Sequence, residues 1–131
     1  KKKKLLGFLA DQDGYIHGLP VPFLGQPSSA VVGPATFAKK FGSPVVPIFA
    51  SRKPEGGHIV HILPPLHYNN SGDDDVDMYT LTEECVRVTE DFIREHPDEW
   101  IWFQHRWMTK MSEIVDYYKK LEIRERAHEK Q

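Results

Sequence analysis

The chain has 131 residues, a length that fits one compact domain with a real core, and its 40% apolar and 27% charged residues are ordinary for a globular fold. A formal net charge of −2 argues against a nucleic-acid binder, whose footprint is a basic surplus. The single cysteine, Cys85, excludes an internal disulfide framework and a cysteine-based zinc site, and no apolar run approaches the roughly 18 residues that span a bilayer.

The chain opens on Lys1 to Lys4 and passes at once into Leu5-Leu6-Gly7-Phe8-Leu9-Ala10. With no initiator Met and no leading cap, it reads as a domain entered in its middle. The apolar run suits a strand buried on both faces, and Asp11-Gln12-Asp13-Gly14 after it is turn chemistry. Asp13 and Gly14 are read as turn residues. Tyr15 to Ser29, with Gly18, Pro20, Pro22, Gly25 and Pro27, reads as a long ordered loop. Ser28 or Ser29 is a candidate cap for a helix over about Pro34 to Lys40, with Phe37 and Phe41 on one face and Gly42 as its terminator.

Pro44 to Ala50 is expected as a second buried strand, with Ser51-Arg52 at its end. His58 to Leu63 is expected as a third, paired with the second as a hairpin across the turn Lys53 to Gly57. Pro64 to Asp77 reads as a surface loop whose tip is Asp73-Asp74-Asp75. Thr80 with Glu83 has the capping-box spacing, so a helix is predicted to start there. Its buried stripe is Leu81, Cys85, Val88 and Phe92, and Pro97 stops it. Trp100 to Trp107 fits a short strand or a turn. Met111 to Gln131 is predicted as a charged helix with Met111, Val115, Tyr118 and Leu121 on its apolar stripe. Glu113, Asp116, Glu122 and Glu125 would be repelled by anionic lipid, so this helix is expected to pack on the protein body. The fold class is therefore α/β, a mixed sheet flanked by helices.

Several blocks, in order, resemble the lipid A lauroyl/myristoyl acyltransferases of the wider glycerolipid acyltransferase group. The first is Gly7 to Asp13 with its "DQD" ending, followed by Val21-Pro22-Phe23-Leu24-Gly25. The second is Gly33 to Ala38, then Gly42 to Ile48, then Arg52. The third is Thr89-Glu90 through Arg94 to Pro97, Trp100 and Trp102, closed by Arg106-Trp107. Gln104 stands where that family usually has a His. The resemblance covers roughly Leu5 to Lys110 and implies the C-terminal half of a glycerolipid acyltransferase-like domain. It divides the chain into residues 1–110, part of that domain, and 111–131, a helical tail.

The resemblance implies an enzyme that moves a fatty acyl group from acyl carrier protein to a hydroxyl of a lipid A precursor. It implies the cytoplasmic face of the inner membrane, a membrane surface and a glycolipid acceptor as partners, and no cofactor. The family's base is a His with an acidic residue five positions on. None of His17, His58, His61, His67, His96 and His105 has an acid at that spacing, and His128 has too few residues after it. The base-bearing N-terminal half is thus expected to be missing, and the chain alone is expected to be inactive. A non-catalytic domain that binds lipid or acyl carrier protein is the alternative, as is an acyltransferase for another glycolipid.

Acyl transfer needs a base, donors for the oxyanion and a groove for the chain. Asp11, at the expected strand end, is the candidate catalytic-cleft residue, with a turn-forming role as the plainer reading. Gln12, Ser51, Arg52 and Arg106 are candidate substrate-binding residues. A guanidinium at Arg52 suits an anionic headgroup or phosphopantetheine, and a salt bridge to Asp11 or Asp13 is its structural alternative. His58 and His61 are three apart in a strand and point to opposite faces, which argues against a shared metal ion. The aromatic cluster Trp100, Trp102, Phe103 and Trp107 fits core packing or an interfacial belt. Cys85 fits the core.

Overall fold

The computed structural model describes the backbone of residues 4–128 and side chains through Lys119. Within these residues the elements are β1 (Leu19–Pro20), β2 (Ser29–Ala30), α1 (Gly33–Phe41), β3 (Ile48–Arg52), β4 (His58–Ile62), α2 (Asp74–Glu95) and α3 (Met111–His128). One-turn 3-10 helices stand at Tyr15–His17 and Pro97–Glu99. The fold is mixed α/β, with two small antiparallel sheets, β1–β2 and β3–β4, in place of one continuous sheet.

The largest departure from expectation is at the start. Leu5 to Ala10 forms no strand, and Leu5, Leu6 and Leu9 are exposed. A strand needs a neighbour to complete its hydrogen bonds, and no described strand pairs with this run. Only Phe8 is engaged, its ring 5.5 Å from that of Phe37. The expected loop from Tyr15 to Ser29 is ordered more tightly than its glycines and prolines suggest. Ser28 and Ser29 are not helix caps. Both are fully buried, and their hydroxyls donate to Val21 O and Tyr15 O, each at 2.6 Å.

The first helix agrees with the sequence. Pro34 sits in its first turn, and Gly42 at φ 61° ends it with its N–H donating to Ala38 O at 2.8 Å. Its buried face is Pro34, Ala35 and Ala38, while Phe37 and Phe41 share the exposed face. The hairpin also agrees, with Ile48 opposite Ile62, Phe49 opposite His61 and Ala50 opposite Val60. The second strand is shorter and more exposed than predicted. It begins after Pro47, and Ile48 and Ala50 face outward.

α2 starts seven residues earlier than the Thr80 box suggested. Asp73 caps it, its Oδ1 accepting from Asp75 N and Val76 N at 3.1 and 3.2 Å. Asp74, Asp75 and Asp77 fill the first turn, where the helix dipole favours anions. The acidic run is therefore a helix start and not a loop tip. Thr80 lies inside the helix and donates to Val76 O at 2.8 Å. Of the predicted stripe Leu81 is fully buried, while Cys85, Val88 and Phe92 are half-buried, Cys85 packing on the Leu81 cluster and Phe92 stacking on Phe49. The fully packed positions are Leu81, Val86 and Ile93, because α2 is covered on two sides. Leu81 meets Ala35 and Ala38 of α1, while Val86 and Ile93 meet Val21, Phe23 and Ala30.

α3 packs on the body as expected, but on a rotated face. Among its described side chains Ile114 is fully buried and Val115 is exposed. Tyr118 donates to Gly18 O at 3.2 Å. Leu121, Glu122 and Glu125 lie outside the described side chains.

Candidate functional site

The segment from Pro97 to Thr109 brings the candidate residues together. It has no strand and little helix, and its side chains reach back across the fold. Trp100 Nε1 and Gln104 Nε2 both donate to Asp11 Oδ2, at 3.1 and 3.2 Å. Asp11 is half-buried and lies in a turn after a segment without regular secondary structure, so the strand-end argument for its position does not hold. Gln104 is thus one of the two side chains that donate to Asp11.

Arg52, at the end of β3, is exposed and is not paired with Asp11 or Asp13. Its Nε donates to Glu99 Oε2 at 3.1 Å, its backbone N–H to Glu99 Oε1 at 2.9 Å, and its Nη2 to Asp98 O at 3.0 Å. The Arg52 backbone N–H and guanidinium hold the Glu99 carboxyl below its usual range. Glu99 and Trp100 are consecutive, so one short stretch of backbone links Arg52 to Asp11. Ser51 is buried, with its hydroxyl 2.8 Å from His61 Nε2 on the inner face of the hairpin. His61 in turn lies against Phe92 and His96 of the α2 end. Gln12 is exposed.

Behind Asp11 lies a buried polar knot that local sequence does not disclose. Asp13, expected as a turn residue, is buried and accepts from three donors. These are Tyr15 N at 2.7 Å, Thr109 N at 3.0 Å and Thr109 Oγ1 at 2.5 Å. Burial opposes its charge, but the two Thr109 bonds, the Tyr15 N–H and nearby Arg106 outweigh it, and the carboxyl lies below its ordinary value.

Arg106 is 1% exposed. Its Nη1 donates to Ser29 O at 2.8 Å and its guanidinium lies 4.5 Å from the Phe23 ring centre. Its Nε and Nη2 have no protein partner. Burial pulls its pKa down, against the opposing charges of Asp13, Asp11 and Glu90. Trp107 Nε1 reaches Phe23 O at 3.4 Å.

Together these bonds tie residues 104–109 to residues 11–29, partners that stand 77 to 96 positions apart in the chain. Gly14 and Gly18 permit the close approach of the loop to β2. A Cβ at Gly18 would stand 2.6 Å from Ala30 O, and one at Gly14 would stand 2.7 Å from the same oxygen.

The aromatic cluster divides in two. Trp100 and Trp107 pack on Phe23 at ring distances of 5.4 and 5.8 Å, while Trp102 and Phe103 face outward. An open depression of about 240 Å³ is lined by Gln104, His105, Arg106, Trp107 and Met108. Cys85 is half-buried, and burial with the nearby Glu84 charge pushes its thiol up to about 11, which leaves little thiolate for nucleophilic work.

The family model described as bacterial lipid A biosynthesis acyltransferase matches residues 1–109. The chain belongs to this family, as the resemblance of its DQD and Trp blocks implied, and at that level it is an acyltransferase of lipid A biosynthesis. No curated protein matches the chain, and no solved structure does. Among the described residues, no helix is long and apolar enough to cross a membrane.

Proposed function

We propose that this chain is the C-terminal, acceptor-side part of a glycerolipid acyltransferase-like domain, spanning residues 1–110, with a helical tail after it. The whole enzyme would move a fatty acyl group from acyl carrier protein to a hydroxyl of a lipid A precursor, at the cytoplasmic face of the inner membrane. The observation that carries the site is the convergence of Asp11 and Arg52 on the consecutive residues Trp100 and Glu99. This places a carboxylate and an exposed guanidinium on one support. Such a pair suits an acceptor with sugar hydroxyls and phosphate, or the phosphopantetheine of the donor.

In this reading Asp11 orients the acceptor hydroxyl or a cation bound to its phosphate. Arg52 holds the anionic group, with the exposed Gln12 next to Asp11, while Ser51 is enclosed against His61 and supports the strand from its inner face. Arg106 is too enclosed to meet substrate as it stands and acts from behind, through Ser29. The base comes from a histidine-bearing segment outside this chain. The exposed run Leu5 to Leu9 and the exposed outer hairpin face, Ile48, Val60 and Ile62, suit its docking.

The test is acyl transfer by the full-length parent with Asp11→Asn and with Arg52→Ala. Each is expected to lower kcat/KM at least about tenfold, or 1.4 kcal/mol of transition-state binding, with little change in melting temperature. Activity at the parent's level in both variants would remove these residues from the cleft. Acyl transfer by the 131-residue chain alone would remove the need for an outside base.

A further inference from the structure

Among the described residues, exposed apolar side chains stand on α1 (Phe37 and Phe41) and singly elsewhere, and three further sets differ in chemistry. The outer hairpin face is aliphatic, and the Leu5 to Leu9 run is aliphatic apart from Phe8. Arg52 N–H, on the outer edge of β3, is taken by Glu99, so that edge is open only toward Ile48 and Ala50. Aliphatic side chains on an open strand edge suit further protein chain. The third set is different. Ile101, Trp102, Phe103 and Met108 are exposed by 56%, 51%, 90% and 54% on the turns that follow Pro97–Glu99.

This segment is set apart by its charge as well. From Trp100 to Ser112 there is no Asp or Glu, although the whole chain carries a net charge of −2. His105 and Lys110 are exposed there. The turn is also fixed in advance. Trp102 Nε1 donates to Pro97 O at 2.7 Å, and its ring lies edge-on to Trp100 at 4.8 Å. Insertion of such a turn costs little ordering entropy.

We propose that the turn from Ile101 to Met108 inserts into the headgroup layer of an anionic bilayer. Phe103 leads, Trp102 and Met108 flank it, and Lys110 meets the lipid phosphates. Gln104 in the same turn donates to Asp11, so insertion brings the Asp11 carboxylate to the bilayer surface. That last consequence rests on the cleft reading above; the insertion itself does not.

The test uses the full chain with vesicles of phosphatidylcholine alone or mixed with phosphatidylglycerol, read by co-sedimentation and by quenching of Trp fluorescence with brominated acyl chains. The chain is expected to bind the mixed vesicles, less so in high salt, with its fluorescence quenched. Phe103→Ser is expected to weaken partitioning about tenfold, because a buried Phe side chain contributes at least about that factor. Its melting temperature should not change. Lys110→Glu should lose the preference for anionic vesicles, and Ile62→Thr on the hairpin should bind as the parent does.

No binding of the parent chain to either vesicle overturns the proposal, and so does undiminished binding by Phe103→Ser. Loss of binding in Ile62→Thr assigns the membrane contact to the hairpin and overturns it as well. A dimer that Phe103→Ser dissolves in the absence of lipid assigns the turn to a protein contact. The vesicle assay requires no acyl transfer, so failure here and failure of the cleft reading are separable.

Discussion

The loop from Asp11 to Ala30 and the β3–β4 hairpin have similar lengths and opposite constructions. The loop is irregular in backbone, yet Asp13, Ser28, Ser29 and Ala30 are buried; the two serine hydroxyls bond within the loop, while Asp13 and Ser29 O are reached by the distant Thr109 and Arg106. The hairpin is regular in backbone, yet one face stands open with Ile48, Val60 and Ile62 exposed. Regular hydrogen bonding is therefore a poor guide to which part of this molecule is finished. Burial of polar groups is the better one, because an enclosed carboxylate without its donors would be costly.

The hardest blow to the loop is Asp13→Ala. It strands Thr109 and Tyr15 donors in the interior, and urea unfolding should record a loss of about 3 kcal/mol or more. A loss under about 1 kcal/mol would mean that the knot does not close the loop. Gly18→Ala comes next, since its Cβ would meet backbone oxygen of β2. About 2 kcal/mol is expected from the same measurement, as for overpacking elsewhere.

The pH dependence is smaller. Asp13 has a folded pKa below its ordinary 3.8, so its contribution is present above that value and is lost as pH falls through the folded pKa. Acid titration of stability should show this loss in the parent and a flatter profile in Asp13→Asn. The smallest effect belongs to the hairpin. Val60→Thr with Ile62→Thr should change stability by less than about 0.5 kcal/mol, while light scattering shows less self-association. A large destabilisation would show that this face is already covered.

What the sequence disclosed follows the range of the forces involved. Gly42, the β3–β4 hairpin and the body of α1 were legible because their signals are local: a left-handed cap, a Gly-Gly turn, a Pro in a first turn. The start of α2 was misread because two cap signals compete, and Asp73 with its acidic first turn prevails over Thr80 and Glu83. Val86 and Ile93 were missed because a one-sided stripe was assumed for a helix covered on two sides.

Asp13 was illegible for another reason. Its partner Thr109 is 96 positions away, and nothing near it distinguishes it from a turn former. Asp11 was found through the family pattern, and its partners Trp100 and Gln104 carry no local mark that points to it. The exposed Leu5 to Leu9 run has the composition of a buried strand, but composition does not supply the neighbour that would make it one.

The distance between Asp13 and Thr109 also sets an order of events during synthesis. The loop leaves the ribosome early, but Arg106, Trp107 and Thr109 emerge only after β3, β4 and α2 have been made. Until then Asp13 and Ser29 O lack the donors of Thr109 and Arg106, so the loop closes only after the elements between have been made. A polypeptide released before Thr109 would leave it gaping, a ready target for proteases.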